Sequence, residues 1–173
     1  MPPAVHKLVL AAHLTVSIGW IGAVAGYMVL DVTTATSRDA QTLRAAYLAM
    51  DSIARSVIVP LALAGLVTGI VISLGTRWGL FRHYWVLVSL VLTVLATVVL
   101  LLETDTIRSL AAMAADPATS PEELRRLGST LAHSVGGTVV LLVILVLNVY
   151  KPRGLTRYGW RRQQERRRAG SRQ

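Results

Sequence analysis

The chain alternates between long stretches without charge and short charged segments. Residues 8–30, 56–76, 84–102 and 127–150 contain no Lys, Arg, Asp or Glu. As helices that rise about 1.5 Å per residue, all four are long enough to cross a hydrocarbon core of about 30 Å. We therefore predict an all-α fold, a transmembrane four-helix bundle formed by residues 1–150.

The segment between the first two spans has a helical pattern of its own. Apolar side chains recur there at the spacing of one helix face, at Leu43, Tyr47, Met50 and Ala54. We expect a surface helix in this first outer loop, with Ser37 as its N-cap. It either lies on the membrane or continues into the second span, where Pro60 would bend it.

The segment before the fourth span contains a helix start signal. Ser120 is followed by Pro121 and Glu123, which are the residues of a capping box with a proline in the first turn. We predict that the fourth helix begins here, about two turns before its span.

The distribution of charge predicts the orientation of the bundle. The net charge is +9, and twelve of the 18 lysines and arginines lie on the side that holds both termini. Eight of the nine acidic residues lie in or next to the two loops on the other side. Because lysine and arginine accumulate inside, we expect both termini to be cytoplasmic. The alternative for the first stretch, a signal peptide with the cleavage motif Ala23-Val24-Ala25, normally has a shorter apolar region.

Residues 151–173 follow the fourth span and contain nine lysines and arginines. We predict a basic cytoplasmic tail whose partners are membrane lipids with anionic head groups. The alternative is that the tail only sets the topology, and in either case a chain that ends after Arg157 is expected to fold. Nucleic acid is not an expected partner, because basic charge alone gives only nonspecific attraction to phosphate.

Composition excludes several kinds of site. The chain has no cysteine and only four methionines, which excludes disulfides and thiolate metal sites and leaves a soft copper site without ligands. It contains no phosphate loop, hydrolase signature or metalloprotease motif. Whether the protein is an enzyme is left open, and histidines are the main candidates for chemistry.

One histidine lies inside the first charge-free stretch. An imidazole in a membrane span is costly unless it has a polar partner or a function. His13, Trp20 and Asp31 project from nearly the same face of a helix, so we expect this face to look into the bundle. Two further histidines lie near other spans, His83 at the inner mouth of the third and His133 in the fourth.

These positions suggest a haem site. The depths of His13 and His83 along their spans allow them to share one ligand. Arg77 and Arg82 are placed to pair with haem propionates. We therefore predict bound haem b, or another porphyrin, with His13 and His83 as metal ligands and His133 as the alternative second ligand.

Polar side chains in the third and fourth spans offer an alternative without a cofactor. In that case His13 forms a hydrogen bond across the bundle to Ser89, Thr93 or Asn148. Ser89, Thr93 and Thr97 also form a hydroxyl stripe, which either bonds its own backbone or lines a polar cavity.

Three segments resemble known proteins: AHLTVSIGWIGAVA, GLFRHYWVLV and VYKPRGLTRYGW. With them, the chain resembles a group of four-span integral membrane proteins, largely actinobacterial, whose function is unknown. More distantly, His13, Trp20 and the nearby glycines resemble the first span of the CopD-type and HemJ-type membrane superfamily. That superfamily has a four-span core and includes haem-binding members. The resemblance implies a bacterial plasma membrane location.

Three functions follow from these observations. The first is binding of b-type haem or a porphyrin through intramembrane histidines. The second is a non-enzymatic scaffold or accessory subunit of a larger membrane complex, as a homo-oligomer or with a membrane partner. Small-residue faces for such packing occur in the first two spans, at Gly19, Gly22, Gly26, Gly65 and Gly69. A small transporter ranks last, because no inverted repeat or broken-helix pair is visible.

Overall fold

The computed structural model describes residues 2–76 and 79–170, with side chains except at positions 166, 167, 169 and 170. The regular structure of this part of the chain is helical, which confirms the predicted all-α fold. The helices are α1 (Pro3–Thr36), α2 (Ala40–Ile53), α3 (Val59–Gly75), α4 (Tyr84–Ala115), α5 (Pro121–Arg126), α6 (Leu131–Tyr150) and α7 (Arg157–Gly170).

Four helices are long and apolar enough to cross a membrane. They are α1, the continuous helix from Ala40 to Gly75, α4 and α6. α1 and α4 each pack against α3 and α6, so the four spans form a ring. Large apolar side chains such as Leu14, Leu95 and Val146 remain exposed along the spans. These features indicate an integral, multi-pass membrane protein.

We name the two ends of the bundle after the predicted orientation. The outer end holds residues 37–39 and the segment 116–130. The inner end holds the start of α1, residues 79–83 and the segment 151–170.

α2 continues into the second span, as one of the two alternatives predicted. The four apolar residues on its predicted face are all buried, since Leu43, Met50 and Ala54 are 1% exposed and Tyr47 is 2% exposed. The predicted cap is wrong by two residues. Asp39 is the N-cap, and its Oδ2 accepts a hydrogen bond from the Thr42 amide at 2.8 Å.

A π-helical segment, Ala54–Ile58, joins α2 to α3. The Val59 amide donates to the Ala54 carbonyl, five residues back. Pro60 follows directly. Proline lacks an amide proton and its ring clashes with the carbonyl four residues back, so the wider turn accommodates it inside a continuous helix.

The helix of the fourth span does not begin at Ser120, so the predicted start two turns before the span is wrong. The capping box is present, with the Glu123 amide donating to Ser120 Oγ at 3.3 Å and the Ser120 amide donating to Glu123 Oε2 at 2.8 Å. However, α5 ends at Arg126 and α6 begins at Leu131. The chain turns between them, and this turn directs Thr130 toward Asp31 of α1.

The segment after α6 packs against the loop before α4. The Thr156 amide donates to the Arg82 carbonyl at 3.0 Å, and the Tyr84 amide donates to the Gly154 carbonyl at 3.3 Å. Thr156 is buried, and its hydroxyl donates to the Phe81 carbonyl. The first part of the basic tail is therefore part of the fold.

Candidate functional site

A cavity of about 330 Å³ lies in the outer half of the bundle. It is bounded by α1, the π-helical segment, α4 and α6, and we call it the outer cavity. Most of its wall is apolar and includes Trp20, Ile58, Leu100 and Leu141. Its volume falls at the lower end of the roughly 300–1,000 Å³ typical of small-molecule sites.

The outer end of this cavity is polar. Glu103 of α4 and His133 of α6 face each other there, with 3.4 Å between Oε1 and Nε2. Glu103 is 21% exposed and His133 is 55% exposed, so the glutamate is the more enclosed partner. No lysine or arginine is among the described residues that line the cavity.

Beside this polar end, the buried side chain of Asp31 binds the residues at the start of α6. Asp31 is 0% exposed. It accepts hydrogen bonds from Ser129 Oγ, the Thr130 amide and Thr130 Oγ1, each at 3.1 Å, and from Ser134 Oγ at 2.7 Å. Tyr27 Oη lies 3.2 Å from Thr130 Oγ1 and extends the network to the cavity wall. The carboxylate fixes the start of α6 against α1.

Sequence reasoning placed Asp31 on the inward face of α1 correctly but assigned it no role. Glu103 was also missed, because it lies just beyond the third charge-free stretch and reads as a loop charge. The available signal was the segment Ser129 to Ser134, in which polar side chains recur at the start of the fourth charge-free stretch.

His13 has its polar partner on α3. Its Nδ1 lies 2.9 Å from Thr68 Oγ1, so the partners predicted across the bundle, Ser89, Thr93 and Asn148, are wrong. The single hydroxyl proton of Thr68 is directed at the Ala64 carbonyl, 2.7 Å away. We therefore assign the imidazole proton to Nδ1, which leaves the lone pair on Nε2.

The remaining predicted cofactor residues lie at the inner end. His83 is the residue before α4, and it lines an inner pocket together with Arg82. Arg77 lies outside the described residues.

The three histidines therefore occupy three different places. His83 lines the inner pocket, His133 lines the outer cavity, and His13 lines neither of these two. Within the described part of the chain, no three His, Asp or Glu side chains form a group that could hold a metal ion. The pairing of His13 with His83 stays a prediction.

The hydroxyl stripe of the third span bonds largely to its own helix. Thr93 Oγ1 and Thr97 Oγ1 each donate to the carbonyl four residues back, at 2.8 Å. Ser89 Oγ accepts from Asn148 Nδ2 at 3.3 Å and ties α4 to α6. Of the two alternatives, backbone bonding describes the two threonines.

The fold and the cavity define the class of the protein: a four-span integral membrane protein with a polar-ended cavity between its helices. The chain matches no protein-family model, no curated protein sequence and no solved structure.

Proposed function

We propose that this membrane protein binds an amphipathic small molecule in the outer cavity. The observation that carries the proposal is the combination of an apolar wall with a polar outer end. An apolar body between Trp20, Ile58 and Leu141 gains from burial, and a polar head group at Glu103 and His133 keeps its hydrogen bonds.

The side chains at the polar end select the chemistry of the head group. The Glu103 carboxyl group accepts hydrogen bonds when ionised, and the ring nitrogens of His133 either donate or accept. The cavity lining supplies no lysine or arginine to an anion. A head group with a hydroxyl or amino donor therefore fits better than a carboxylate or phosphate.

The sequence predicted haem as the cofactor. In the structure, the candidate iron ligands and the candidate partners of its propionates lie in different parts of the bundle. A histidine that binds a metal through one ring nitrogen usually donates a hydrogen bond from the other. The bond from His13 Nδ1 to Thr68 is of this kind, and it supports Nε2 as an iron ligand. His83 lies with Arg82, which supports pairing with propionates. The outer cavity contains His133 as a possible iron ligand, but the Glu103 carboxyl group beside it is an unfavourable neighbour for haem propionates. Haem is thus a narrower proposal than an amphipathic ligand with a donor head group.

A spectrum tests the haem proposal. Wild-type protein expressed with ample haem and purified in mild detergent would show a Soret band, and His13→Ala would abolish or shift it while the bundle stays folded. Absence of the band in the wild type would contradict haem binding and leave the wider proposal intact.

A matched pair of glycine substitutions tests the outer cavity. Gly137 lines the cavity, and a Cβ there would meet nothing within 4 Å, so a leucine can begin at this position and occupy cavity space. Gly22 on α1 is equally open but lies outside the cavity lining. Amphipathic compounds that co-purify with the wild type, identified by mass spectrometry of an organic extract, should disappear in Gly137→Leu and persist in Gly22→Leu. Equal loss or equal retention in both variants would contradict the proposal.

The scaffold function remains the second candidate, and one observation favours it. Gly19 packs against Leu61, but Gly22 and Gly26 are exposed, and a Cβ at either position would meet nothing within 4 Å. Small residues four apart on a lipid-facing helix allow a partner helix to approach closely. Disulfide crosslinking in membranes, through cysteines at positions 22 and 26, tests this candidate. A gel that shows only the monomer band would contradict it.

A further inference from the structure

A second pocket, at the inner end, is rimmed by positive charge. It has a volume of about 550 Å³ and lies between the start of α4, the segment 151–155 and α7. We call it the inner pocket. The cationic residues that line it are Arg82, Lys151, Arg153 and Arg162. None of the described residues that line it is acidic. Glu165 is near, 3.7 Å from Arg162, but it is 67% exposed.

Backbone contacts assemble this pocket from distant parts of the chain. The bonds of Thr156 to Arg82 and of Tyr84 to Gly154 join the loop before α4 to the segment after α6. Gly159 lies so close to the Arg82 carbonyl oxygen that a Cβ at this position would overlap it. Cationic residues from separate parts of the chain therefore line the same pocket.

The inner pocket lies where the spans leave the apolar layer. Exposed aromatic side chains surround this level of the molecule, at Phe81, Tyr84, Tyr150, Tyr158 and Trp160. Aromatic residues collect at the head-group level of a membrane, where their rings are half in apolar surroundings. A ligand of the inner pocket would thus meet the protein among the lipid head groups.

We propose that the inner pocket binds a phosphate group. Arginine presents a planar fork of donors that matches phosphate oxygens, and Arg153 and Arg162 both line the site. Arg162 Nε donates to Tyr158 Oη at 3.2 Å, so the fork that it offers a phosphate is its pair of terminal nitrogens. The phosphate belongs to an anionic lipid head group or to a soluble phosphate compound. This site is separate from the outer cavity, and neither proposal depends on the other.

The test compares two pairs of arginines that differ in position but not in charge. Arg153→Gln with Arg162→Gln removes two forks from the pocket. Arg157→Gln with Arg161→Gln removes the same charge from exposed positions outside the lining. Full-length protein in neutral detergent is titrated by calorimetry with dioctanoyl phosphatidylglycerol, and separately with inorganic phosphate, at constant ionic strength. Both double variants must melt like the wild type.

We expect saturable binding that the pocket pair weakens roughly tenfold and the control pair less than about twofold. If the pocket pair fails to fold, Arg153→Lys with Arg162→Lys keeps the charge, and its loss of the fork should still weaken binding several-fold. Tighter binding of the lipid identifies a head group as the source, and equal binding of inorganic phosphate identifies a soluble compound. Equal weakening by both pairs, or no saturable binding of either probe, would overturn the proposal.

Discussion

The two ends of the bundle are held together in different ways. At the outer end the links are side chains: Asp31 binds the start of α6, and Arg44 donates to the Ala114 carbonyl at 2.6 Å and the Asp116 carbonyl at 2.7 Å, at the C-terminus of α4. At the inner end the links are mainly backbone bonds between residues 81–84 and 154–156. The largest fully buried side chains are all toward the outer end: Tyr47, Leu43, Met50, Leu124 and Asp31.

This difference indicates different roles for the two ends. The buried polar links at the outer end hold the walls of the outer cavity in place, which a ligand site requires. At the inner end the backbone links bring cationic residues from two parts of the chain to the lining of the inner pocket.

The orientation of the two ends gives the largest expected effect, since labelling is all or none. The chain has no cysteine, so single cysteines at Ala115 and Gln163 are unique labels. Because basic residues favour the cytoplasmic side, an impermeant thiol reagent added to intact cells should label Ala115→Cys and not Gln163→Cys. Labelling of Gln163→Cys before lysis would reverse the assignment of the ends.

Removal of the Asp31 carboxylate should produce the largest loss of stability. Asp31→Ala leaves the buried Thr130 amide without its acceptor, and such a donor costs about 1–3 kcal/mol. It also removes the 2.7 Å bond of Ser134 Oγ, whose remaining acceptor is the Leu131 carbonyl at 3.1 Å. We expect the free energy of unfolding in mixed micelles to fall by about 3 kcal/mol. Asp105→Ala, an exposed control on α4, should change it little. Equal effects of the two substitutions would show that the outer end does not depend on this link.

A substitution at Gly159 disrupts the inner end, as Asp31→Ala disrupts the outer end. Because the Arg82 carbonyl leaves no space for a Cβ, Gly159→Ala should release α7 from the bundle. Trypsin should then cleave at the arginines of α7 several-fold faster in limited proteolysis. Gly128→Ala, where a side chain meets nothing within 4 Å, is the control. Unchanged cleavage in Gly159→Ala would contradict the packing of the tail.

Much of the fold was predictable because membrane spans depend on local sequence properties. Charge-free stretches placed the four spans, and helical spacing identified the buried face at Leu43 and Tyr47. The capping box at Ser120 was also correct as a local signal. Local signals could not show that α5 stops, because the turn at Thr130 is linked to Asp31, far away in sequence.

The site was predictable only in part for the same reason. The sequence identified His13 as a buried polar group but not Thr68 as its partner, since the register between α1 and α3 depends on packing. Likewise, the contact between Glu103 and His133 joins two spans, and no spacing along the chain reports it. The sequence predicted lipid contact or a topology signal for the basic tail but not its packing on the bundle, because its backbone bonds to residues 81–84 leave no pattern in the sequence.

The smallest expected effect is an acid sensitivity limited to the outer end. Hydrogen bonds from the Thr42 hydroxyl and amide lower the pKa of Asp39, and bonds from the Ser120 amide and hydroxyl lower the pKa of Glu123. A lowered pKa means that these caps stabilise the fold above the ordinary values of 3.8 and 4.5 and lose this effect as the pH falls through the folded-state values.

Hydrogen exchange measures this sensitivity. After correction for intrinsic rates, the first turns of α2 and α5 should exchange faster at pH 3 than at pH 6, while α7 should not change. Asp39→Asn should remove the pH dependence of α2 only. A pH dependence of α2 that persists in Asp39→Asn would contradict this assignment.

An experimental structure of the wild-type protein in lipid nanodiscs tests the central claim, ligand binding in the outer cavity, most directly. We expect non-protein density between Trp20, Ile58 and Leu141, with one end within hydrogen-bonding distance of Glu103 or His133. A cavity collapsed on its own side chains, or occupied by water alone, would contradict the claim.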